Sequence, residues 1–358
     1  MLPFQTVRVP ALLTAALLAL AACAPQSRPA GPAIRAAAIE PYSPPPQPQR
    51  PSLWAWEPPR PPPQPAGPAP AEALTMQDGT RLALRVWAPT GPPRAVVLAL
   101  HGFGDHGGNS LIEGAPLLNA AGVQVYGYDQ RGFGYSSHRG IWPGMDTLVG
   151  DARAAAALIA ARHPGLPLYL LGESLGASVA LLAGTGPLPV RGIILSAPAV
   201  MGRRQLPAVV SAAIDGLVWL MPAMAMQASA GGLAASDNRA ALERFGRDPL
   251  TLREVRLDLV GGVLDGMDAA VAALPQCCTV PTLILTGGQD QVVPTRIARQ
   301  VLRALPPRAD RRILHYPDGW HLLLRDAIRP RVAADIIAWM DDQQAPLAAE
   351  MAARAWLR

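Results

Sequence analysis

A serine sits between two glycines in Gly172-Glu173-Ser174-Leu175-Gly176. Glycines on either side of a serine let a chain turn from strand into helix so sharply that the hydroxyl is left at the tip. Such a hydroxyl attacks a carbonyl only with a base to take its proton and an acid to orient that base. Both residue types follow downstream: Asp290 in Leu285-Thr286-Gly287-Gly288-Gln289-Asp290, and His321 in Asp318-Gly319-Trp320-His321. Upstream, His101-Gly102-Phe103-Gly104-Asp105-His106-Gly107-Gly108 is rich enough in glycine for its amides to face a reacting group. The Phe103 N–H and the Leu175 N–H at a helix start are the natural oxyanion donors. The chemistry predicted is acyl transfer through Ser174, His321 and Asp290, with no metal and no cofactor. His101 precedes the serine and is expected to brace its loop. A metal site at His101, Asp105 and His106 is disfavoured.

These residues need strands behind them. Short apolar runs at 82–87, 95–100, 123–128, 168–171, 193–196, 282–286 and 312–316 alternate with helical patterns at 145–163, 175–183, 295–305 and 327–340. That rhythm predicts an α/β fold, a mostly parallel doubly wound sheet, with ligands at the carboxyl ends of the strands. Ser174, Asp290 and His321 each follow a predicted strand. The rhythm breaks between Ala199 and Leu274, where the chain reads LPAVVSAAIDGLVWLMPAMAMQ. Leu217, Trp219, Met221 and Met224 are expected there as an acyl-chain site or as a lid that touches membrane; packing on the core is the alternative. Asp129, Arg131 and Ser136 are expected as loop braces.

Half of the 358 residues are hydrophobic, which excludes global disorder, and the net charge is +5. All 31 basic residues are arginine, so Schiff-base chemistry and a P-loop are excluded. The arginines are scattered, and no nucleic-acid module is visible. Arg8 followed by the 12 uncharged residues Ala11 to Ala22 is too short to span a bilayer of ~30 Å and predicts a signal peptide over 1–22. Leu20-Ala21-Ala22-Cys23 resembles the lipobox of bacterial lipoproteins, which implies lipidation of Cys23 and an anchor in the cell envelope. Ala24 in place of an aspartate favours an outer membrane where two membranes exist. Of the 40 prolines, 17 lie between Pro25 and Pro70, predicting an extended spacer over 23–73 interrupted by Leu53, Trp54 and Trp56. A catalytic domain over 74–345, with its cap at about 199–274, and a tail over 346–358 complete the expected organisation. Cys277 and Cys278 are adjacent and are expected as packing residues without a disulfide.

The segments HGFGDH, YDQRGFGYSS, GESLGA, RDPLTL, VPTLILTGGQDQVVP and DGWHLLLRD, in this order from Thr75 to Asp342, resemble the monoacylglycerol lipase and lysophospholipase branch of the α/β-hydrolases, which is grouped with serine aminopeptidase-like hydrolases. The resemblance implies an α/β-hydrolase fold with a helical cap inserted before the strand that follows Leu274. It also implies ester hydrolysis, with Ser174 as nucleophile, Asp290 as acid, His321 as base, and Phe103 and Leu175 as oxyanion amides. A lipid or small ester is the implied substrate. Two departures stand out: Asp105 where the family often has glutamate, and Glu173 where it often has histidine. Two other readings stay open at this point. One is a short-chain esterase, thioesterase or aminopeptidase acting on soluble substrates. The other is a surface lipoprotein whose proline-rich arm binds cell wall or partners.

Overall fold

The computed structural model describes residues 36–43, 64–227 and 232–358. Cys23, Trp54, Trp56, the signal segment and most of the spacer lie outside these residues. Eleven strands and ten α-helices follow in chain order among the described residues: β1 (Ala38–Pro41), β2 (Glu72–Thr75), β3 (Arg81–Trp87), β4 (Ala95–Leu100), α1 (Gly107–Ser110), α2 (Gly114–Ala120), β5 (Val123–Tyr128), α3 (Met145–Arg162), β6 (Leu168–Glu173), α4 (Leu175–Ala183), β7 (Gly192–Ser196), α5 (Ala208–Leu220), β8 (Ala225–Gln227), α6 (Arg239–Arg247), β9 (Glu254–Arg256), α7 (Leu257–Ala273), β10 (Thr282–Gly287), α8 (Thr295–Arg303), β11 (Arg311–Tyr316), α9 (Arg329–Asp341) and α10 (Ala348–Leu357). Nine strands form one sheet in the order β1-β2-β3-β5-β4-β6-β7-β10-β11. Pairing is antiparallel from β1 to β5 and parallel from β5 to β11.

The apolar runs explain this directly. Every residue of β4, β6, β7 and β10 is buried, as parallel strands covered on both faces must be. One face carries α3, α4, α7 and α8, through Leu148, Ile159, Val179, Leu181, Ala270 and Leu302. The other carries α2, α9 and α10, through Leu118, Val332, Ile336, Trp339 and Ala349. The mostly parallel sheet expected from the sequence is therefore the sheet found, and all the predicted strands are present. The insertion before the strand after Leu274 lies between β7 and β10, and it holds α5, α6 and the small β8–β9 ribbon. Its last helix, α7, packs on α4 rather than over the sheet top.

Three features depart from expectation. Parts of the proline-rich stretch belong to the body: β1 extends the sheet edge by pairing with β2, and the Ala66 amide donates to Asp248 Oδ2 at 2.6 Å. The backbone polar groups of these residues find partners that free polyproline would lack. The C-terminal residues are not a loose tail, because α10 covers β11: Trp356 stacks on His315 at 4.2 Å and Glu350 pairs with Arg312 at 2.7 Å. Cys277 and Cys278 are buried as packing residues, but their sulfurs are joined in a disulfide where none was expected.

Candidate active site

Ser174 caps the junction of β6 and α4 with φ 54° and ψ −115°, a left-handed conformation that costs a serine energy unless its surroundings enforce it. The flanking glycines show how they do. A Cβ on Gly172 would lie 2.3 Å from the Gly176 carbonyl oxygen, and one on Gly176 would lie 2.3 Å from that of Leu100. Only glycine lets β4, β6 and α4 approach this closely. The Ser174 amide donates to Ser196 O at 3.0 Å, locking the turn to β7.

His321 follows β11, and its Nδ1 donates to Asp290 Oδ2 at 2.8 Å. The other Asp290 oxygen accepts the Val292 and Val293 amides, both at 2.9 Å, so the carboxylate is fixed on three sides. Both side chains are buried. Burial pushes the His321 imidazole down, but the Asp290 charge and hydrogen bond, aided by the Glu173 charge, hold its pKa above the ordinary value. The two loops are stitched together: Gln289 donates its amide to Gly319 O at 2.8 Å, and Gly288 to Tyr316 O at 2.7 Å. Ser174 and His321 line one cavity of about 700 Å³.

Phe103 lines the same cavity, and Leu175, next to Ser174 in the chain, is buried. Neither backbone N–H has an acceptor among the described residues, as a pair of free donors requires. The rest of the loop is braced. His101 Nε2 accepts the Gln130 amide at 3.0 Å, so its Nδ1 carries the proton donated to Gly102 O at 2.8 Å. Burial lowers its pKa, and the ring is a neutral strut. Asp129 accepts from Arg85 at 2.6 Å and from the Gly107 and Tyr135 amides at 2.9 and 2.8 Å. Arg131 bridges Asp151 and Asp78, and Ser136 Oγ donates to Phe133 O at 2.6 Å.

The four cap side chains named from the sequence are not in this cavity. Leu217, Trp219, Met221 and Met224 are exposed on the outside of the insertion. The cap face of the cavity is formed instead by Leu233, Leu242, Phe245, Leu252 and Val255, with Val292 from the body. These are ordinary apolar residues in a stretch whose charges at Arg239, Glu243, Arg244 and Arg247 mask them in a hydropathy reading. Sequence reasoning also missed Arg325 and Asp326. Arg325 is 1% exposed and reaches Asp105 at 2.5 Å and Glu173 at 2.8 Å. Asp326 accepts the Trp320 amide at 2.6 Å and the Ser236 hydroxyl at 2.5 Å, holding the His321 loop against the cap. Burial raises the Asp326 pKa to about 6. An Arg-Asp pair four residues after the histidine was the available signal.

Residues 91–328 match the family described as serine aminopeptidase, S33. Human monoglyceride lipase is 28% identical over 281 residues, covering 76% of this chain and 90% of the relative. A monoacylglycerol lipase of Mycolicibacterium smegmatis is 26% identical over 264 residues, covering 73% and 93%. Among solved structures, the monoacylglycerol lipase of Paleococcus ferrophilus superposes with a TM-score of 0.58 at 25% identity, covering 72% of this chain and 98% of that one. A monoglyceride lipase of Saccharomyces cerevisiae superposes with a TM-score of 0.63 at 18% identity, covering 75% and 94%, a likeness of fold. With the sheet order, the glycine-flanked turn at Ser174 and a family match over most of its length, the chain belongs to the serine aminopeptidase S33 family, in the branch of carboxylic ester hydrolases of the α/β-hydrolase fold that holds the monoglyceride lipases.

Proposed function

We propose that the chain hydrolyses lipid monoesters of the monoacylglycerol or lysophospholipid type through an acyl-enzyme on Ser174. The observation that carries the reading is the His321–Asp290 hydrogen bond at 2.8 Å on a cavity that also receives Ser174 and is walled largely by apolar side chains. His321 Nε2 takes the Ser174 proton as Oγ bonds to the ester carbon. Asp290 holds Nδ1–H in place and stabilises the imidazolium. The Phe103 and Leu175 amides donate to the carbonyl oxygen as it becomes negative, a donor being worth ~10²–10³ in rate. The imidazolium then protonates the departing alcohol. Water, deprotonated by His321, releases the acid and frees Ser174.

A lipid rather than a soluble ester fits the outer surface of the cap. Val209, Trp219 and Leu220 on α5 are exposed, with Met221, Met224 and Met226 following them. An apolar face of this kind suits a lipid surface. Lipidation of Cys23 would place the body beside such a surface, which makes an envelope-anchored enzyme the companion proposal.

The test is hydrolysis of p-nitrophenyl esters of rising acyl length, monoacylglycerol and lysophosphatidylcholine by the full chain and by Ser174→Ala. The substitution is expected to lower kcat at least ~10³-fold on every substrate, as removing a nucleophile does. Equal rates for the two proteins would end the mechanism, and activity confined to short esters would end the lipid assignment. The base must be neutral to act. Because Asp290 raises His321 above 6.5, kcat/KM is expected to fall as pH drops through a midpoint above 6.5. A midpoint at or below 6.5 would remove the inferred support from Asp290.

A further inference from the structure

The two departures from the family pattern, Asp105 and Glu173, meet on one atom. Arg325 Nη2 donates to Asp105 Oδ2 at 2.5 Å and to Glu173 Oε1 at 2.8 Å. Asp105 lies two residues after Phe103 on the loop that leaves β4, and Glu173 lies two residues before Leu175 at the end of β6. Arg325 itself lies four residues after His321. One guanidinium nitrogen therefore ties together the loops that carry both oxyanion amides and the base. All three side chains are buried, and ions taken out of water cost free energy that only close pairing recovers. Burial pushes Arg325 towards deprotonation, but Asp105 and Glu173 together hold its pKa up. Burial pushes Asp105 up, and Arg325 overrides it. On Glu173 burial prevails and the pKa is raised.

Placement argues against a passive prop. The Glu173 carboxyl and Ser174 both abut Gly102, where a Cβ would lie 3.5 Å from Glu173 Oε1 and 3.4 Å from Ser174 Cβ. Glu173 thus lies beside the spot where the ester oxygen gains negative charge. Arg325 also lines the cavity, and its Nε and Nη1 are buried without a partner among the described residues. A carboxylate so near a developing oxyanion repels it unless a cation compensates it.

We infer that Arg325 is a positioning residue for ester hydrolysis: it fixes the spacing between the Phe103 and Leu175 amides and neutralises Glu173 beside them. The assignment rests on the Ser174 mechanism proposed above. Two contributions follow, one from geometry and one from charge, and different variants separate them. Arg325→Met removes both. Arg325→Met with Glu173→Gln restores charge balance without the tie. Arg325→Lys keeps a charge on a single donor nitrogen but sets it on a different stem without the guanidinium plane, so the tie is loosened while the charge stays.

The experiment measures kcat and KM of the full chain on p-nitrophenyl butyrate, with inhibition by an alkyl trifluoromethyl ketone, which forms a tetrahedral oxyanion with the nucleophile. Fluorophosphonate titration counts reactive serine. Arg325→Met is expected to lower kcat about 10²-fold with KM changed less than about threefold, and to weaken the ketone by the same factor. Adding Glu173→Gln should recover about tenfold, and Arg325→Lys should fall between the two. A kcat within threefold of the parent, a loss confined to KM, or unchanged ketone affinity beside a lowered kcat would each overturn the assignment. Should Arg325→Met fail to fold, the near-isosteric Asp105→Asn and Glu173→Gln carry the test. Asp105→Asn should lower kcat several-fold by loosening the tie. Glu173→Gln alone, which removes the repelling charge and keeps an oxygen for Arg325, should change it less than about threefold. The two together should not combine multiplicatively, because they act through one nitrogen. No effect of Asp105→Asn, or strictly multiplicative effects, would overturn it. Ser174→Ala measured alongside keeps the two claims apart: an active Ser174 variant condemns the mechanism, whereas a dead Ser174 variant with an undisturbed Arg325 series condemns this inference alone.

Discussion

The two helices of the insertion are built on opposite plans. The sequence AVVSAAIDGLVWL of α5 has a single charge, yet none of its residues is buried. The sequence RAALERFGR of α6 has four charges, yet it supplies Leu242, Phe245 and Gly246 to the cavity. The difference lies in what holds each helix. Arg244 on α6 reaches Asn109 at 3.0 Å and Glu113 at 2.5 Å, and Asp248 just beyond it accepts from His106 at 3.0 Å and from the Ala66 and Leu250 amides at 2.6 and 2.8 Å. On α5, Asp215 meets Arg203 at 2.7 Å and Val218 rests on Gly261, while Trp219 and Leu220 face outward. Hydrophobicity therefore does not report burial in this insertion. Polar bonds make α6 part of the frame around Ser174, whereas the apolar α5 stays exposed.

The sharpest way to break that contrast is to unbolt α6. Asp248→Ala strips the buried partner from His106 and from two amides at once. Unsatisfied buried groups cost about 1–3 kcal/mol each, so a loss of roughly 3 kcal/mol is expected, seen as a melting temperature about 6–12 °C lower. Activity on a short ester should fall with it, because His106 lies on the same loop as Phe103. Burial pushes Asp248 up, but the bonds from His106, Leu250 and Ala66 pull its pKa below the ordinary value. Its contribution is thus present above about pH 4 and is lost as pH falls through the depressed value, so the parent and Asp248→Ala should converge in stability under strong acid. Unchanged melting on Asp248→Ala would mean that α6 is held by its apolar face and the Arg244 bonds without help from Asp248.

A smaller effect is expected where the arm meets the same loop. Gly67 has φ +80°, and a Cβ there would lie 2.5 Å from the Gly108 carbonyl oxygen. Gly67→Ala should therefore cost on the order of 2 kcal/mol, by backbone strain and by lifting the chain off α1. Chemical denaturation measures it. A neutral result would show that residues 64–68 yield freely and that the arm contributes nothing to the frame.

What could be read in advance divides along the same line. The placement of Ser174, Asp290 and His321 at strand ends was legible because fully buried parallel strands announce themselves as near-continuous apolar runs such as AVVLAL and TLILTG. The Asp290–His321 contact joins two strand ends that pair in register, so chain order and sheet order together implied it. The cap was legible only as an interruption. An apolar stretch says that water is unfavourable but not what replaces it, so Leu217, Trp219, Met221 and Met224 read as an acyl-chain site, as a lid that touches membrane or as core, and the cavity is lined by Leu242, Phe245 and Leu252 instead. Arg325 was hidden because its partners are 152 and 220 residues away. The strand β1 was hidden because Ala38–Pro41 is a four-residue edge inside a proline-rich composition, where pairing depends on a neighbour rather than on local preference.

The least stability should be lost on α5, and that is what makes it informative. Trp219→Ser with Leu220→Ser replaces two exposed apolar side chains that no buried contact secures. Exposed substitutions of this kind shift stability by about 0.5 kcal/mol or less, so melting should stay within a degree or two of the parent. Rates on p-nitrophenyl butyrate in solution should also hold, since neither residue lines the cavity. Hydrolysis of monoacylglycerol dispersed in phospholipid vesicles should nevertheless fall, because each buried CH₂ lost from the membrane contact removes ~0.8 kcal/mol of binding. Vesicle co-sedimentation of the two proteins separates surface binding from turnover. If the doubly substituted protein melts several degrees lower, α5 packs as α6 does and the contrast between them collapses. If it melts alike and still hydrolyses vesicle-borne lipid at the parental rate, the outward apolar face is no lipid contact, and the case for a lipid ester rests on the cavity alone.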